Sequence, residues 1–210
     1  MNVRKKQLII ELDGKVGAIV QAKEMQMMMG DVEATTGVRG AGDLLKKMVH
    51  SAVTDETVIK PHYEGKGILV LEPTYRHILL EDMADWPEGI VTEDGMFLAC
   101  EDTVEMEVTG RKNLSSLVLG REGIFNNTFY GKGILALESL VPREELIEVE
   151  LEDNSVKIDG NMAVAWSPGL RFTVRKSMGT LIGSAVSGEG FVNVYEGTGK
   201  VLIAPVRNIK

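Results

Sequence analysis

The sequence has little cysteine and little histidine, which limits the chemistry that the chain can perform. One cysteine, Cys100, is present, so an intrachain disulfide framework is excluded and a reducing cytoplasmic location is expected. Because Cys100 lies in the apolar run 96–100, we interpret it as a small buried residue rather than a reactive thiol.

The three histidines are His50, His62 and His77, and no two of them have the i, i+2 or i, i+4 spacing of a metal-binding pair. The sequence also lacks a Walker A phosphate loop and the G-x-S-x-G motif of a nucleophilic serine. We therefore predict a protein that is not an enzyme, with no catalytic residue, no metal site and no cofactor.

Long apolar runs and an excess of basic residues are also missing. Charged residues interrupt the first twenty positions, so we predict neither a signal peptide nor a membrane-spanning segment. The chain has 23 Lys and Arg against 31 Asp and Glu, a net charge of −8. Because an acidic surface is repelled by a phosphate backbone, this charge disfavours the binding of nucleic acid.

Glycine, in contrast, is abundant and regularly placed. Three segments read aromatic, turn, Gly-x-Gly, then an aliphatic run, and their leading glycines are Gly65, Gly131 and Gly197, each 66 residues from the next. The second glycines of the three pairs are Gly67, Gly133 and Gly199. Since glycine accepts backbone angles that other residues resist, we interpret all six as structural turns or bulges at the corners of a sheet.

The period of 66 extends beyond the glycines. It aligns Val104, Met106 and Val108 with Leu170, Phe172 and Val174, and both sets alternate with more polar residues, which is typical of strands. We predict an all-β single domain over 1–210 with repeats at about 1–73, 74–139 and 140–210 in a pseudo-threefold arrangement. The first repeat has about seven extra residues, with a short helix expected at 43–49.

One segment is rich in methionine, a residue that fills irregular gaps and also forms adaptable binding surfaces. Two readings stay open for it, core or subunit packing and a ligand or partner surface. The candidate surface consists of the methionines together with two tryptophans: Met25, Met27, Met28, Met29, Trp86 and Trp166.

The order and spacing of the glycine motifs resemble a known family. The residues that carry the resemblance are 188–192 and 197–201, supported by 121–125, 131–133 and 140–159. They are similar to those of prokaryotic members of the altered-inheritance-of-mitochondria protein 24 family, also called tryptophan-RNA-binding-attenuation-protein-like. The resemblance implies a double-stranded β-helix, or jelly-roll-like fold, of three repeats, and it brings no catalytic residues.

Several functions are compatible with these observations. The preferred one is a non-enzymatic scaffold or interaction protein that forms a homo-oligomer, and it is compatible with an unknown protein partner. The alternative is a small-ligand-binding protein or enzyme that uses a pocket between repeats. RNA binding is a weaker alternative, and peripheral membrane contact through apolar loops is conceivable.

Overall fold

The computed structural model describes residues 1–3, 6–36, 60–110, 125–159, 162–176 and 191–206. Within these ranges the chain is all-β, as predicted, with two single-turn 3-10 helices at Met83–Asp85 and Arg143–Glu145. The strands are β1 (Asn2–Val3), β2 (Leu8–Asp13), β3 (Ala18–Val20), β4 (Met25–Thr35), β5 (His62–Leu71), β6 (His77–Asp82), β7 (Ile90–Glu93), β8 (Phe97–Glu101), β9 (Val104–Gly110), β10 (Phe125–Gly131), β11 (Ile134–Ser139), β12 (Ile147–Asp159), β13 (Ala163–Trp166), β14 (Arg171–Lys176) and β15 (Phe191–Ile203).

The chain divides into two compact units, each assembled from separated segments. The first unit contains 1–87, 94–106 and 129–142, and the second contains 88–93, 107–128 and 143–210. The single domain over 1–210 and the repeat limits near residues 73 and 139 stay predictions.

Strand β5 is central to the first sheet, whose order is β1-β2-β5-β3-β8-β11-β6 with β4 also paired to β5. On one edge of β5 the partner changes, from β3 at His62 and Tyr63 to β2 at 66–70. On the other edge β4 runs antiparallel to the whole of β5. The aliphatic residues 68–70 therefore have a strand partner on both edges.

The first core follows from the alternation of apolar and polar residues. In β2, Leu8, Ile10 and Leu12 are buried while Glu11 and Asp13 are exposed, because successive side chains of a strand point to opposite faces. These residues pack with Tyr63, Leu69 and Leu71 of β5 and with Leu98 and Ala99 of β8.

The second sheet has the order β12-β15-β13-β7-β10-β9, with β14 also paired to β15. Strand β15 resembles β5 in its pairing. On one edge its partner changes from β14 at 191–196 to β13 at 201–203, while β12 accompanies its whole length on the other edge. Trp166 and Tyr195 lie in the core here with ring centroids 5.2 Å apart.

The leading glycines of the three Gly-x-Gly pairs have backbone angles that L side chains rarely adopt. Their φ values are 114° at Gly65, 106° at Gly131 and 131° at Gly197. Gly133 and Gly199 also have positive φ, at 117° and 148°. At Gly65 a Cβ would in addition overlap the carbonyl oxygen of Asp31 on the neighbouring strand.

Some predictions fall outside the described residues. The helix predicted at 43–49 lies there, and so does His50. Among the residues that are described, no helix has the length and apolar character needed to cross a bilayer.

A pair of glycine substitutions tests how tightly β4 approaches β5. We expect Gly65→Ala to lower the free energy of unfolding by ~3 kcal/mol, through the unfavourable φ and the overlap with Asp31. The matched control is Gly95→Ala, at a φ of 77° with no atom within 4 Å of the new Cβ, for which we expect a loss of ~1 kcal/mol. Urea denaturation followed by Trp86 fluorescence in a Trp166→Phe background measures both, and equal losses would contradict the close approach.

Candidate functional site

The methionine segment forms the first half of β4, and its side chains are exposed. Met25, Met27, Met28 and Met29 have relative exposures of 39%, 48%, 39% and 57%. Among the described residues β4 pairs only with β5, so the backbone groups of its outer edge have no strand partner there. The segment is an exposed apolar edge strand.

A second long strand, β12, also lies at the end of its sheet but differs in composition. It pairs with β15, and its exposed positions include Glu148, Glu150, Glu152 and Lys157. Charged side chains along an edge discourage pairing with another chain, because they would have to be desolvated. Strand β4 has no charged residue between positions 25 and 30, so it lacks this protection.

The two tryptophans of the predicted surface lie elsewhere. Trp86 is 2% exposed and donates its indole N–H to a carboxylate oxygen of Glu81, at 3.1 Å, inside the first unit. Trp166 is 3% exposed in the core of the second unit. The four methionines thus share one exposed strand, whereas neither tryptophan contributes to that surface.

A polar cluster in the first unit brings together three residues that could hold a metal ion: His62, Glu64 and Asp102. The two ring nitrogens of His62 each face a carboxylate. Nδ1 lies 3.2 Å from Oε1 of Glu64, and Nε2 lies 3.1 Å from Oδ2 of Asp102. A neutral imidazole has only one N–H to donate, so both contacts are hydrogen bonds only when the ring is protonated.

The sheet positions the three side chains. His62 and Glu64 are two residues apart on β5 and point to the same face. Asp102 lies in the turn between β8 and β9, where the backbone N–H of Gly17 donates to its Oδ2 at 2.9 Å. The N–H of Asp102 in turn donates to the carbonyl of Gly17 at 3.0 Å. The carboxylate of Asp102 is therefore fixed by the backbone, while that of Glu64 is held by the side chain of His62.

Gly17 is buried against this cluster, and only a glycine fits there. A Cβ at this position would lie 2.6 Å from both Oδ2 of Asp102 and Nε2 of His62, and 2.9 Å from the carbonyl oxygen of Tyr63. The missing side chain is what allows the histidine and the aspartate to meet.

The electrostatic surroundings of the cluster are acidic. The register of β4 and β5 sets Glu33 directly opposite Glu64, and like charges in that position repel. The carboxylates of Glu64 and Asp102 thus contact one imidazole, and a third carboxylate, that of Glu33, lies across the strand pair from Glu64.

The sequence analysis did not predict this cluster, because it considered only pairs of histidines at the spacing of metal ligands. The available signal was the alternation His62-x-Glu64, which predicts one face of a strand. The third residue, Asp102, is 40 positions away and joins the pair only through the turn after β8.

The free cysteine behaves as the sequence indicates. Cys100 is buried, and burial raises the pKa of its thiol to about 12. Since the thiolate is the nucleophilic form, this residue is unreactive at neutral pH.

Comparison with known proteins defines the class of this all-β chain. The family model described as "Mitochondrial biogenesis AIM24" matches residues 2–206, which is nearly the whole length. The chain therefore belongs to the AIM24 family, as the glycine motifs indicated. A search of the curated proteins gave no match.

A solved structure supports the fold. The crystal structure of protein SPYM3_0169 from Streptococcus pyogenes is similar, with a TM-score of 0.69 and 25% sequence identity. The match covers 99% of this chain and 91% of that chain.

A double-mutant cycle tests the role of Gly17. We expect Gly17→Ala to destabilise the protein by ~1–2 kcal/mol, because overlap with the cluster outweighs the usual gain of replacing a glycine. In a His62→Ala background the loss should shrink by at least ~0.5 kcal/mol, since one of the overlapping atoms is gone. Urea denaturation gives all four free energies, and strictly additive losses would contradict contact between Gly17 and the imidazole.

Proposed function

We propose that this AIM24-family protein is a non-enzymatic β scaffold that forms a homo-oligomer through strand β4. The observation that carries the proposal is the set of four exposed methionines on a strand that, among the described residues, is paired on one side only. Pairing with a second copy would satisfy the backbone groups of the outer edge and bury the methionine side chains. Methionine suits such a contact because its flexible thioether side chain adapts to the facing surface.

Electrostatics favours one register for a symmetric β4–β4 contact. A two-fold axis at Asp31 would set two carboxylates directly opposite each other, which is unfavourable. An axis at Met28 instead sets Met27 opposite Met29 and keeps Asp31 away from its own copy. An antiparallel contact of this kind is self-complementary and closed, so it ends with two copies rather than a fibre.

We further propose that the chain contains three diverged repeats in a double-stranded β-helix, or jelly-roll-like, arrangement. An offset of 66 residues carries β8 onto β13, β9 onto β14 and β10 onto the first half of β15. The shared positive φ at Gly65, Gly131 and Gly197 supports the same correspondence. So does the change of strand partner near the glycine pair in both β5 and β15.

The described residues give less support to the other candidate functions. Trp86 and Trp166, which together with the methionines form the candidate ligand or partner surface, are core residues. The net charge of −8 disfavours RNA binding. Membrane contact through the methionines is the competing use of the same surface, so liposome co-sedimentation belongs in the test.

Charge substitutions on β4 test the homo-oligomer. The wild-type chain, of 23.0 kDa, is expected to show twice that mass by light scattering after gel filtration at micromolar concentration. In Met27→Lys/Met29→Lys the self-association constant should fall at least ~10-fold, because two ammonium groups would be desolvated in the contact. The matched control is Ile147→Lys on the charged edge strand β12, where the residue is 52% exposed and no effect is expected.

The outcomes separate the possibilities. A wild-type protein that is monomeric throughout the concentration range would overturn the homo-oligomer. An oligomer that survives the double substitution but dissociates in Ile147→Lys would assign the contact to β12 instead. Sedimentation of a wild-type monomer with liposomes, lost in the β4 variant, would assign the methionines to a membrane.

A further inference from the structure

We propose that His62 and Asp102 bind a divalent transition-metal ion of the zinc type, with Glu64 orienting the imidazole from its other nitrogen. This inference is independent of the homo-oligomer, because it rests on the polar cluster and not on the methionines. Imidazole nitrogen and carboxylate oxygen are both common zinc ligands.

The separation of the two ligand atoms suits a shared ion. Nε2 of His62 lies 3.1 Å from Oδ2 of Asp102. Two ligands bound to one zinc ion at ordinary bond lengths and tetrahedral angles lie ~3.3 Å apart. Metal binding would therefore need only a small adjustment of these side chains, with the ion replacing the proton between them.

The contact on the other side of the ring matches the surroundings of a metal-binding histidine. Such a histidine usually donates its second ring N–H to a carboxylate, which fixes the tautomer and the ring orientation. Oε1 of Glu64, at 3.2 Å from Nδ1, is in position to accept that bond. With the proton held on Nδ1, the lone pair of Nε2 faces Asp102 and is available to the ion.

The backbone fixes the second ligand and leaves both accessible. Gly17 N–H donates to Oδ2 of Asp102, so this carboxylate is held in place before an ion arrives. The side chains of His62 and Asp102 are 24% and 28% exposed. Both side chains are therefore partly open to solvent, and water molecules would complete the coordination of a bound ion.

The local charge favours a cation. Glu64 and Asp102 each contact the imidazole of His62, and the cross-strand pair of Glu33 and Glu64 is unfavourable without a compensating positive charge. A divalent ion supplies two positive charges at this position, whereas protonation of the imidazole supplies one. The alternative is an ion pair of protonated His62 with Glu64 and Asp102 and no metal. The experiment below distinguishes this ion pair from a metal site.

Zinc binding is measured by titration calorimetry of the full chain in a buffer that does not chelate the metal. We expect one Zn²⁺ per chain, and loss of this binding in both His62→Gln and Asp102→Asn. Glu64→Gln should weaken the affinity by about 10–100-fold without abolishing binding, as expected for a residue that orients a ligand. The matched control is His77→Gln on β6, which should bind like the wild type.

A second readout does not depend on any variant. With three histidines in the chain, the Hε1 resonances can be followed by NMR, and Zn²⁺ should shift that of His62 but not that of His77. Circular dichroism establishes whether each variant is folded. If His62→Gln does not fold, zinc binding by Asp102→Asn and the NMR titration of the wild type test the metal site.

Two results would overturn the metal site. One is the absence of saturable Zn²⁺ binding to the wild-type chain together with an unmoved His62 resonance, which would leave the ion pair as the whole explanation of the cluster. The other is wild-type affinity in both His62→Gln and Asp102→Asn, which would assign the bound zinc to other residues.

Discussion

The close approach of strands β4 and β5 at Gly65 is the constraint on which the described features of the first unit depend. The φ of 114° and the nearby carbonyl of Asp31 exclude a side chain at this position. On the other edge of β5, pairing changes here from β3 to β2. Strand β5 thus has two successive neighbours on that edge, and Gly65 separates its buried aliphatic half from the polar half that carries His62 and Glu64.

Both candidate surfaces follow from this arrangement. The aliphatic half of β5 pairs with the methionines of β4, which are left with exposed side chains. The polar half lies beside β3 and the turn that carries Asp102. The two surfaces differ in chemistry because the methionine half of β4 carries no charge, while Asp31 and Glu33 follow it. A contact between apolar edges and a cation site can therefore occupy the same strand pair without competing for residues.

The polar cluster shows how much a single glycine determines. Gly17 gives both of its backbone hydrogen-bonding groups to Asp102 and leaves room for the imidazole. Among the described residues, the imidazole of His62 is the group that joins the carboxylates of Glu64 and Asp102. This explains why the position of Asp102 could not be anticipated from charge pattern alone.

The sequence by itself determined the all-β class, the family and the buried state of Cys100. These properties depend on local alternation, on glycine spacing and on apolar character, which are properties of neighbouring residues. Only the tertiary structure decided which side chains are exposed and which distant residues meet. Trp86 and Trp166 have the same apolar character as the methionines, but both are buried in the structure, whereas the methionines are exposed. His62 and Asp102 meet because β3 pairs with both β5 and β8 and so brings these two strands close together. The distance between His62 and Asp102 along the chain does not reveal such long-range pairing.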